Sequence, residues 1–273
     1  MRPEDLSRVP LGERLTVRHR LADGRASDVV GHLVGRDGQT LVLDTRRGRA
    51  VVRLTDVVVA RVVRAVPWRV ATFLERAEVA VLDLDGVLRD FDTEGHVGRA
   101  AAELGTDLEG LLEVAFGIDE AMAMLTGRCT HAEWVQALET RLLDDGHHPP
   151  AVERLMTVWV EDRGTPVAPT TELVDRLCAA GTPVFVFTNG TDRVPEELEH
   201  IGLGHLVPAL INACDLGVAK PDPEAYAVAH AEIERRLGRT VGREQVRFTD
   251  DRPHNVEAAR EFGWQARIFT PPS

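Results

Sequence analysis

VAVLDLDGVL, residues 79–88, combines a fully apolar tetrapeptide with two aspartates and a glycine that follow it directly. Further short, mainly apolar runs occur at residues 184–187 (VFVF), 245–248 (QVRF) and 266–269 (ARIF), and another near 209–213 (ALINA). Helical patterns separate these runs. Short apolar runs that alternate with helices predict a parallel β-sheet with helices on both faces.

Polar residues follow three of the predicted strands, in the sequences DLDG, TNG and TDD. Asp, Asn, Thr and Gly also favour turns and helix caps, so each of these sequences alone would indicate a turn. In an open parallel sheet, however, ligands bind beyond the carboxyl ends of the strands. Because all three sequences follow predicted buried strands, we expect one shared site built from Asp83, Asp85, Thr188, Asn189, Asp250 and Asp251.

The first part of the chain has a different pattern and a different charge. Residues 1–70 contain 14 Arg against 8 Asp and Glu, a net charge of +6, so the remainder carries −18 of the total of −12. Apolar and polar residues alternate there in short runs, separated by the turn sequences ADG, RDG and RRG. This pattern predicts a small antiparallel β-barrel over residues 1–68, with RAVPWRV at 64–70 as the linker.

The composition excludes several classes of protein. Charged residues make up 28% and hydrophobic residues 44% of the chain, and no apolar run approaches the ~20 residues that span a bilayer. Cys129, Cys178 and Cys214 are far apart, which argues against a zinc or disulfide framework and predicts a reducing, cytoplasmic location. The net charge of −12 disfavours nucleic-acid binding by the whole chain.

At these motifs the chain resembles the haloacid-dehalogenase superfamily, over about residues 77–270. The resemblance rests on four sequences in order: VLDLDGVL (81–88), VFVFTNGT (184–191), GVAKPDPEAY (217–226) and RFTDDRPHNVEAAREFGW (247–264). The D-D-x-x-x-N form of the fourth motif points to the subgroup with a helical cap inserted after the first strand. The resemblance therefore implies a doubly wound, Rossmann-like α/β core of residues 77–92 and 166–273, with residues 93–165 as the cap.

The N-terminal segment, residues 16–52, resembles a Src-homology-3-like barrel found at the start of some actinobacterial proteins. Residues 1–67 contain no Phe, Tyr or Trp. Recognition of proline motifs needs an aromatic groove, and recognition of single-stranded nucleic acid needs stacking platforms. Both roles are therefore disfavoured for the barrel. A basic barrel beside an acidic catalytic domain could dock against it in cis or between subunits, and weak contact with the phosphates of duplex nucleic acid is a further alternative.

The resemblance also implies a role for each motif residue. Asp83 is the expected nucleophile, which would form an aspartyl-phosphate intermediate. Asp85 is the expected general acid for the leaving alcohol and then the base toward water. Asp251, Asp83 and the backbone carbonyl of Asp85 are the expected metal ligands. Asp250 would orient the lysine or a metal-bound water, although Asp250 and Asp251 could exchange roles.

Phosphate would be held by a second group: the hydroxyl of Thr188, the backbone amides of Asn189 and Gly86, and the side chain of Lys220. Lys220 is the only lysine of the chain, while the other 31 basic residues are arginine. Several carboxylates within a few ångströms of each other repel by about 4 kcal/mol a pair, so they need cations nearby. Mg²⁺ suits an all-oxygen site, and a compact ammonium fits where a planar guanidinium would crowd a phosphate.

The sequence thus predicts a Mg²⁺-dependent phosphomonoester hydrolase that acts on a small phosphorylated metabolite. Alternatives are a phosphotransferase or sugar-phosphate mutase on the same scaffold, and a regulatory or nucleic-acid-binding protein that uses the basic barrel. Carbon–halogen cleavage in this superfamily does not use an acid at the position of Asp85, so the presence of Asp85 favours phosphoryl transfer.

No membrane association is expected, and the sequence leaves the oligomeric state open. Arg89, Phe91 and Arg128 are further candidates for substrate contact.

Overall fold

The chain divides into two compact units, Met1–Pro67 and Trp68–Ser273. The computed structural model describes residues 6, 9–21, 23–45, 48–62, 68–91 and 95–272. Most of the predicted linker, residues 64–67, and the predicted start of the cap at residues 93 and 94 lie outside the described residues. No helix among the described residues is long and apolar enough to cross a bilayer.

The first unit is a five-stranded antiparallel sheet in the order β4-β3-β2-β1-β5. Its strands are β1 (Arg14–Arg20), β2 (Ala26–Arg36), β3 (Thr40–Thr45), β4 (Gly48–Arg53) and β5 (Val57–Val62). Alternate side chains such as Leu15, Val17 and Leu33 are buried, as the period of two requires. The described pairings leave β4 and β5 at the two edges, so a closed Src-homology-3-like barrel stays a prediction.

The second unit is built on a five-stranded parallel sheet in the order β10-β9-β6-β11-β12. Its strands are β6 (Val79–Leu82), β9 (Val184–Thr188), β10 (Leu210–Asn212), β11 (Val246–Asp250) and β12 (Gln265–Ile268). This confirms the predicted α/β class. The three strands that precede the acidic and TNG sequences, β6, β9 and β11, are neighbours at the centre of the sheet.

Helices cover both faces of this sheet because successive strand residues point to opposite sides. On one face, Val184 and Val186 of β9 pack in one apolar cluster with α1 (Arg69–Leu74), α7 (Ala168–Ala179) and α8 (Val194–His200). On the other, Phe185 and Phe187 join the cluster of α10 (Pro223–Leu237) and α11 (Pro253–Phe262). Each fully buried Val or Phe side chain contributes roughly 1.5–3 kcal/mol, so both faces hold the helices in place.

A helical insert lies between β6 and β9 in sequence. Its helices are α2 (His96–Glu103), α3 (Leu108–Gly117), α4 (Asp119–Leu125), α5 (His131–Asp144) and α6 (Pro149–Glu161). A capping box between Thr130 and Glu133 begins α5, and the insert has its own apolar core around Trp134. Two short antiparallel strands, β7 (Arg89–Asp90) and β8 (Thr165–Pro166), lead into and out of the insert.

Candidate functional site

The site forms at the carboxyl edge of the sheet around the ammonium group of Lys220. Lys220 lies between α9 (Ala213–Leu216) and α10, and its side chain is almost fully buried. Its Nζ lies 2.9 Å from Asp83 Oδ1 and 2.7 Å from Asp250 Oδ2, and it donates to the Phe187 carbonyl at 2.9 Å. The three N–H donors of the ammonium group are therefore all engaged.

These contacts explain why this position holds a lysine. Burial lowers the pKa of Lys220, but the carboxylates of Asp83 and Asp250 outweigh burial and raise it above the ordinary value. An ammonium directs three donors from one point, whereas a guanidinium spreads its donors over a wide plane. A buried arginine could not reach these three oxygens from one position. Lys220 could contact a substrate anion only by giving up one of the three oxygens.

Asn189 fixes the loop that carries the lysine. Its side-chain Nδ2 donates to the Lys220 carbonyl at 2.7 Å, and its Oδ1 accepts from the Lys220 amide at 2.8 Å. This two-way contact joins the end of β9 to the third motif. The sequence had indicated Asn189 for its backbone amide, and the role of its side chain as a loop clamp was missed.

Asp83 is a buried carboxylate with one free oxygen. Its Oδ1 accepts from the Leu84 amide at 2.8 Å and from Lys220, whereas Oδ2 accepts no hydrogen bond from any described residue. Burial raises the pKa of Asp83 to about 7, opposed by Lys220 and assisted by the charges of Asp250 and Asp85. The free oxygen is the atom that could attack an electrophile.

Asp250 and Asp251 occupy different environments, although they are adjacent in sequence. Both oxygens of the fully buried Asp250 are engaged, Oδ1 by the Arg252 amide at 2.8 Å and Oδ2 by Lys220, and the side chain of Asn255 donates to both. Asp251 is half-buried, and its nearest cation is Arg252 at 3.7 Å. Burial raises the pKa of Asp251, with Arg252 opposing. Asp251 is thus more available than Asp250 to bind a metal ion.

The donor set of this site fits a magnesium ion. Oxygens of Asp83, Asp250 and Asp251 all lie within 4.8 Å of one another, and Mg²⁺ is held in proteins by one or two carboxylates with water and substrate. Because both oxygens of Asp250 are engaged, the available carboxylate ligands would be those of Asp83 and Asp251. Gly86 leaves the room for them: a Cβ at this residue, whose φ is +78°, would lie 2.6 Å from Asp251 Oδ2.

Of the two remaining phosphate-binding candidates, Gly86 and Thr188, only one has a hydrogen-bonding group that is free to bind a ligand. The backbone amide of Gly86 already donates to the Arg89 carbonyl at 2.7 Å, so it is not free for a substrate. Thr188 is buried at the end of β9, and its hydroxyl makes no hydrogen bond to any described residue. The Thr188 hydroxyl is therefore available to a ligand, while the Gly86 amide is not.

Asp85 is held by an ion pair that the sequence did not reveal. Nε of Arg89, which is 3% exposed, donates to Asp85 Oδ1 at 2.6 Å. The NH1 group of Arg89 donates to Glu197 Oε2 on α8 at 2.7 Å. Asp85 is thus a hydrogen-bond acceptor for a buried cation. The spacing of four residues between Asp85 and Arg89 was the only sequence signal, and nothing marked Glu197.

A cavity of about 290 Å³ lies between the insert and the sheet edge. Its lining includes Arg128, one of the predicted substrate contacts, with Cys129 from the insert and Asp192 and Cys214 from the core. Burial raises the pKa of Cys214 to about 11, so this thiol is poorly suited to act as a nucleophile.

A doubly wound parallel sheet, a buried aspartate and lysine at its carboxyl edge and a helical insert after the first strand define a class of α/β hydrolases. The sequence model of haloacid dehalogenase-like hydrolases matches residues 77–263, and the chain belongs to this family. It is a hydrolase of that family, as the four motifs had indicated.

Individual relatives agree with this assignment. The chain is 31% identical over 123 residues to an (S)-2-haloacid dehalogenase of Pseudomonas putida, covering 45% of this chain and 49% of that protein. It therefore spans about half the length of the curated relatives it matches.

Two solved structures share the fold. One is a dehalogenase with an intermediate complex (TM-score 0.53, 23% identity, 72% of this chain and 88% of that one). The other is a haloacid-dehalogenase family enzyme of Bacteroides thetaiotaomicron with magnesium and inorganic phosphate (TM-score 0.50, 16% identity, 69% and 92%).

These relatives correct the predicted activity. The expectation of a phosphomonoester hydrolase, and with it the mutase and regulatory alternatives, is wrong, because three of the curated relatives are (S)-2-haloacid dehalogenases. The expectation had rested on the presence of an acid at position 85. In the structure that acid is bound to Arg89, so its presence alone does not identify the leaving group.

Proposed function

We propose that this hydrolase displaces the halide of a 2-haloalkanoic acid and releases the 2-hydroxy acid. The observation that carries the proposal is the ion pair of Asp85 with the buried Arg89. A carboxylate committed to a guanidinium accepts hydrogen bonds and does not donate one. A halide departs without a proton from the enzyme, whereas an alkoxide leaving group needs one.

The first step is a substitution by Asp83. Its free Oδ2 attacks C2 of the substrate, a C–O bond forms as the carbon–halogen bond breaks, and the halide leaves with the bonding electron pair. The product is an ester of Asp83. Lys220 holds the other oxygen at 2.9 Å and so fixes the direction of attack.

The second step is hydrolysis of this ester. Water attacks Cγ of Asp83, the bond from Cγ to the alkoxide oxygen breaks, and the 2-hydroxy acid leaves. One proton of the attacking water passes through solvent to the departing alkoxide oxygen, and the other is released as Asp83 returns to its carboxylate form. Asp83 is regenerated with one oxygen from water, so the product of the first turnover carries an oxygen from Asp83.

The substrate carboxylate needs partners at the same edge. The Thr188 hydroxyl is available for it, as argued above. We also propose that the site binds Mg²⁺ through Asp83 and Asp251, supported by their separation and by the space at Gly86. When bound, the ion supplies positive charge that offsets these carboxylates and an anionic substrate.

Halide release tests the proposed activity. The protein incubated with either enantiomer of 2-chloropropionate is expected to release chloride and form lactate, measured by ion chromatography. In water enriched in ¹⁸O, lactate from a single turnover is expected to be unlabelled, because its new oxygen comes from Asp83. Asp175→Asn, a change at an exposed aspartate, serves as the control with unchanged rate. Absence of chloride release, together with phosphate release from a panel of phosphomonoesters, would refute the proposal.

Magnesium binding is tested without reference to activity. Calorimetric titration with MgCl₂ is expected to give at least roughly 10-fold weaker binding for Asp251→Asn than for the wild type, because one of two carboxylate ligands is lost. Asp175→Asn is again the matched control, since it removes the same charge from an exposed position that is not part of the site. Equal affinity in all three proteins would exclude Asp251 as a ligand.

A further inference from the structure

Asp85, Arg89 and Glu197 form a chain of ion pairs that runs from the site into the core. The charged groups of Arg89 and Glu197 are almost completely buried. Glu197 Oε2 accepts from Arg89 at 2.7 Å, and Glu197 Oε1 faces Arg193 Nε at 3.8 Å. Each carboxylate of the chain therefore contacts a guanidinium.

Such a chain is poorly explained by stability alone. Burying a charged group costs several kcal/mol, and a buried ion pair often does no better than apolar residues of the same volume. Burial lowers the pKa of Arg89, yet Asp85 and Glu197 together raise it above its ordinary value, so the guanidinium stays charged. What the chain does achieve is a fixed geometry at Asp85.

Close packing restricts the Arg89 side chain. A Cβ added at Gly164 would lie 2.8 Å from Arg89 Cγ, so the backbone of the strand connection presses against the arginine. The Phe91 ring lies 4.9 Å from the guanidinium carbon on another side. With Glu197 holding NH1, the Nε that binds Asp85 has little freedom to move.

We propose that Glu197 is a positioning residue of the hydrolytic step: it fixes Arg89, which holds Asp85 so that the free carboxylate oxygen orients the attacking water. This inference rests on the proposed function. Asp85 is bound to Arg89 through Oδ1 and its side chain is 43% exposed, so Oδ2 is not used by that ion pair and can accept from water. Asp85 also lies close enough to Asp83 for its charge to act there.

The helical insert contacts the same chain of ion pairs through Arg193. NH2 of Arg193 donates to the Val160 carbonyl of α6 at 3.3 Å, and NH1 lies 3.4 Å from His131 Nδ1 of α5. The carboxylate that orients water is therefore connected, through Arg89, Glu197 and Arg193, to helices α5 and α6 of the insert.

The proposal predicts that the two chemical steps separate when Glu197 is changed. In Glu197→Gln, the first step does not involve Asp85, so rapid mixing with 2-chloropropionate is expected to give a chloride burst of about one equivalent per site. Hydrolysis of the ester is expected to slow by about 10- to 100-fold, the cost of a misplaced reacting group. The ester on Asp83 then accumulates, and intact-protein mass spectrometry detects it.

A matched control variant distinguishes loss of Asp85 positioning from a general effect of removing a glutamate that pairs with an arginine. Glu103→Gln removes an exposed glutamate of the insert whose partner Arg154 lies at 2.6 Å, and both phases are expected to be unchanged. In Arg89→Ala, added guanidinium sulfate at millimolar concentration is expected to restore the rate of ester hydrolysis, because the guanidinium ion occupies the space that the Arg89 side chain has left. Equal slowing of the burst and the steady state in Glu197→Gln would overturn the proposal.

Failure of the proposed function would be recognised separately, as absence of chloride release by the wild type. In that case, crystal structures of the variants, which need no substrate, test whether Glu197 positions Asp85. In Glu197→Gln, Asp85 Oδ1 is expected to leave hydrogen-bond distance of Arg89 Nε. Retention of the wild-type 2.6 Å contact in that variant would overturn the inference.

Discussion

Replacing Lys220 with methionine is expected to lower the free energy of unfolding by about 3–5 kcal/mol at pH 8 and to abolish activity. The change leaves Asp83 and Asp250 buried without their shared cation, and removing one partner of a buried ion pair costs about this much. The carbonyl of Phe187 also loses its donor. Urea denaturation followed by circular dichroism measures the loss.

The effect of Lys220→Met is expected to shrink at pH 5. Without the lysine, Asp83 takes up a proton more readily, and its pKa of about 7 in the wild type already lies well above the ordinary carboxyl value. The control is Arg235→Met, which removes an exposed cation paired with Glu232 at 2.7 Å and should cost less than about 1 kcal/mol. If Lys220→Met costs no more than this control, Lys220 does not neutralise the site.

Replacing Asp83 with asparagine is expected to abolish turnover while raising stability at neutral and alkaline pH. Loss of the nucleophile should lower kcat by at least roughly 10⁴-fold, as for other residues of covalent catalysis. The gain in stability comes from removing a buried carboxylate that the wild type must ionise. Native proteins commonly carry such a cost at functional sites.

The sign of the pH dependence follows from the pKa of Asp83. Its native value is raised from about 3.9 to about 7, so between these values the native state holds a proton that the unfolded state has lost. Wild-type stability therefore falls as the pH rises from 4 to 7. Asp83→Asn does not titrate, so its advantage grows over that interval, to at most about 4 kcal/mol.

Thermal melts at pH 4.5 and pH 8 measure this difference. Asp175→Asn is the control, because the Asp175 side chain is 72% exposed and its replacement should have the same small effect at both pH values. A loss of stability in Asp83→Asn of equal size at both pH values would show that burial does not disfavour the charge of Asp83.

Asp85 shows that a residue type alone does not reveal whether the side chain donates or accepts a proton. An aspartate two residues after the nucleophile was interpreted from the sequence as a proton donor to a leaving alcohol. The structure gives this carboxylate a guanidinium partner at 2.6 Å, so it accepts hydrogen bonds. The residue type was visible in the sequence, whereas its partner, and with it the expected leaving group, was not.

The central sheet could be predicted because its signals are local. Runs such as VFVF are long enough for one strand and apolar on both faces, so they can only be buried between two helical layers. The gathering of Asp83, Lys220 and Asp250 was predictable for the same reason, since parallel strands bring their carboxyl ends to one edge. Closure of the N-terminal sheet into a barrel stays a prediction, because the described strand pairings do not join its edge strands β4 and β5.

The α/β class, the edge at which the site lies and the need for a cation at position 220 could be predicted, because strand periodicity and charge balance are properties of the residues themselves. Three features could be seen only in the folded chain: both oxygens of Asp250 are engaged while Asp251 is available, Asn189 clamps the lysine loop, and Glu197 reaches Arg89 across 108 residues of chain. Those outcomes depend on which donors meet which acceptors after the helices pack, and hydrogen bonds between distant residues leave no periodic pattern in the sequence.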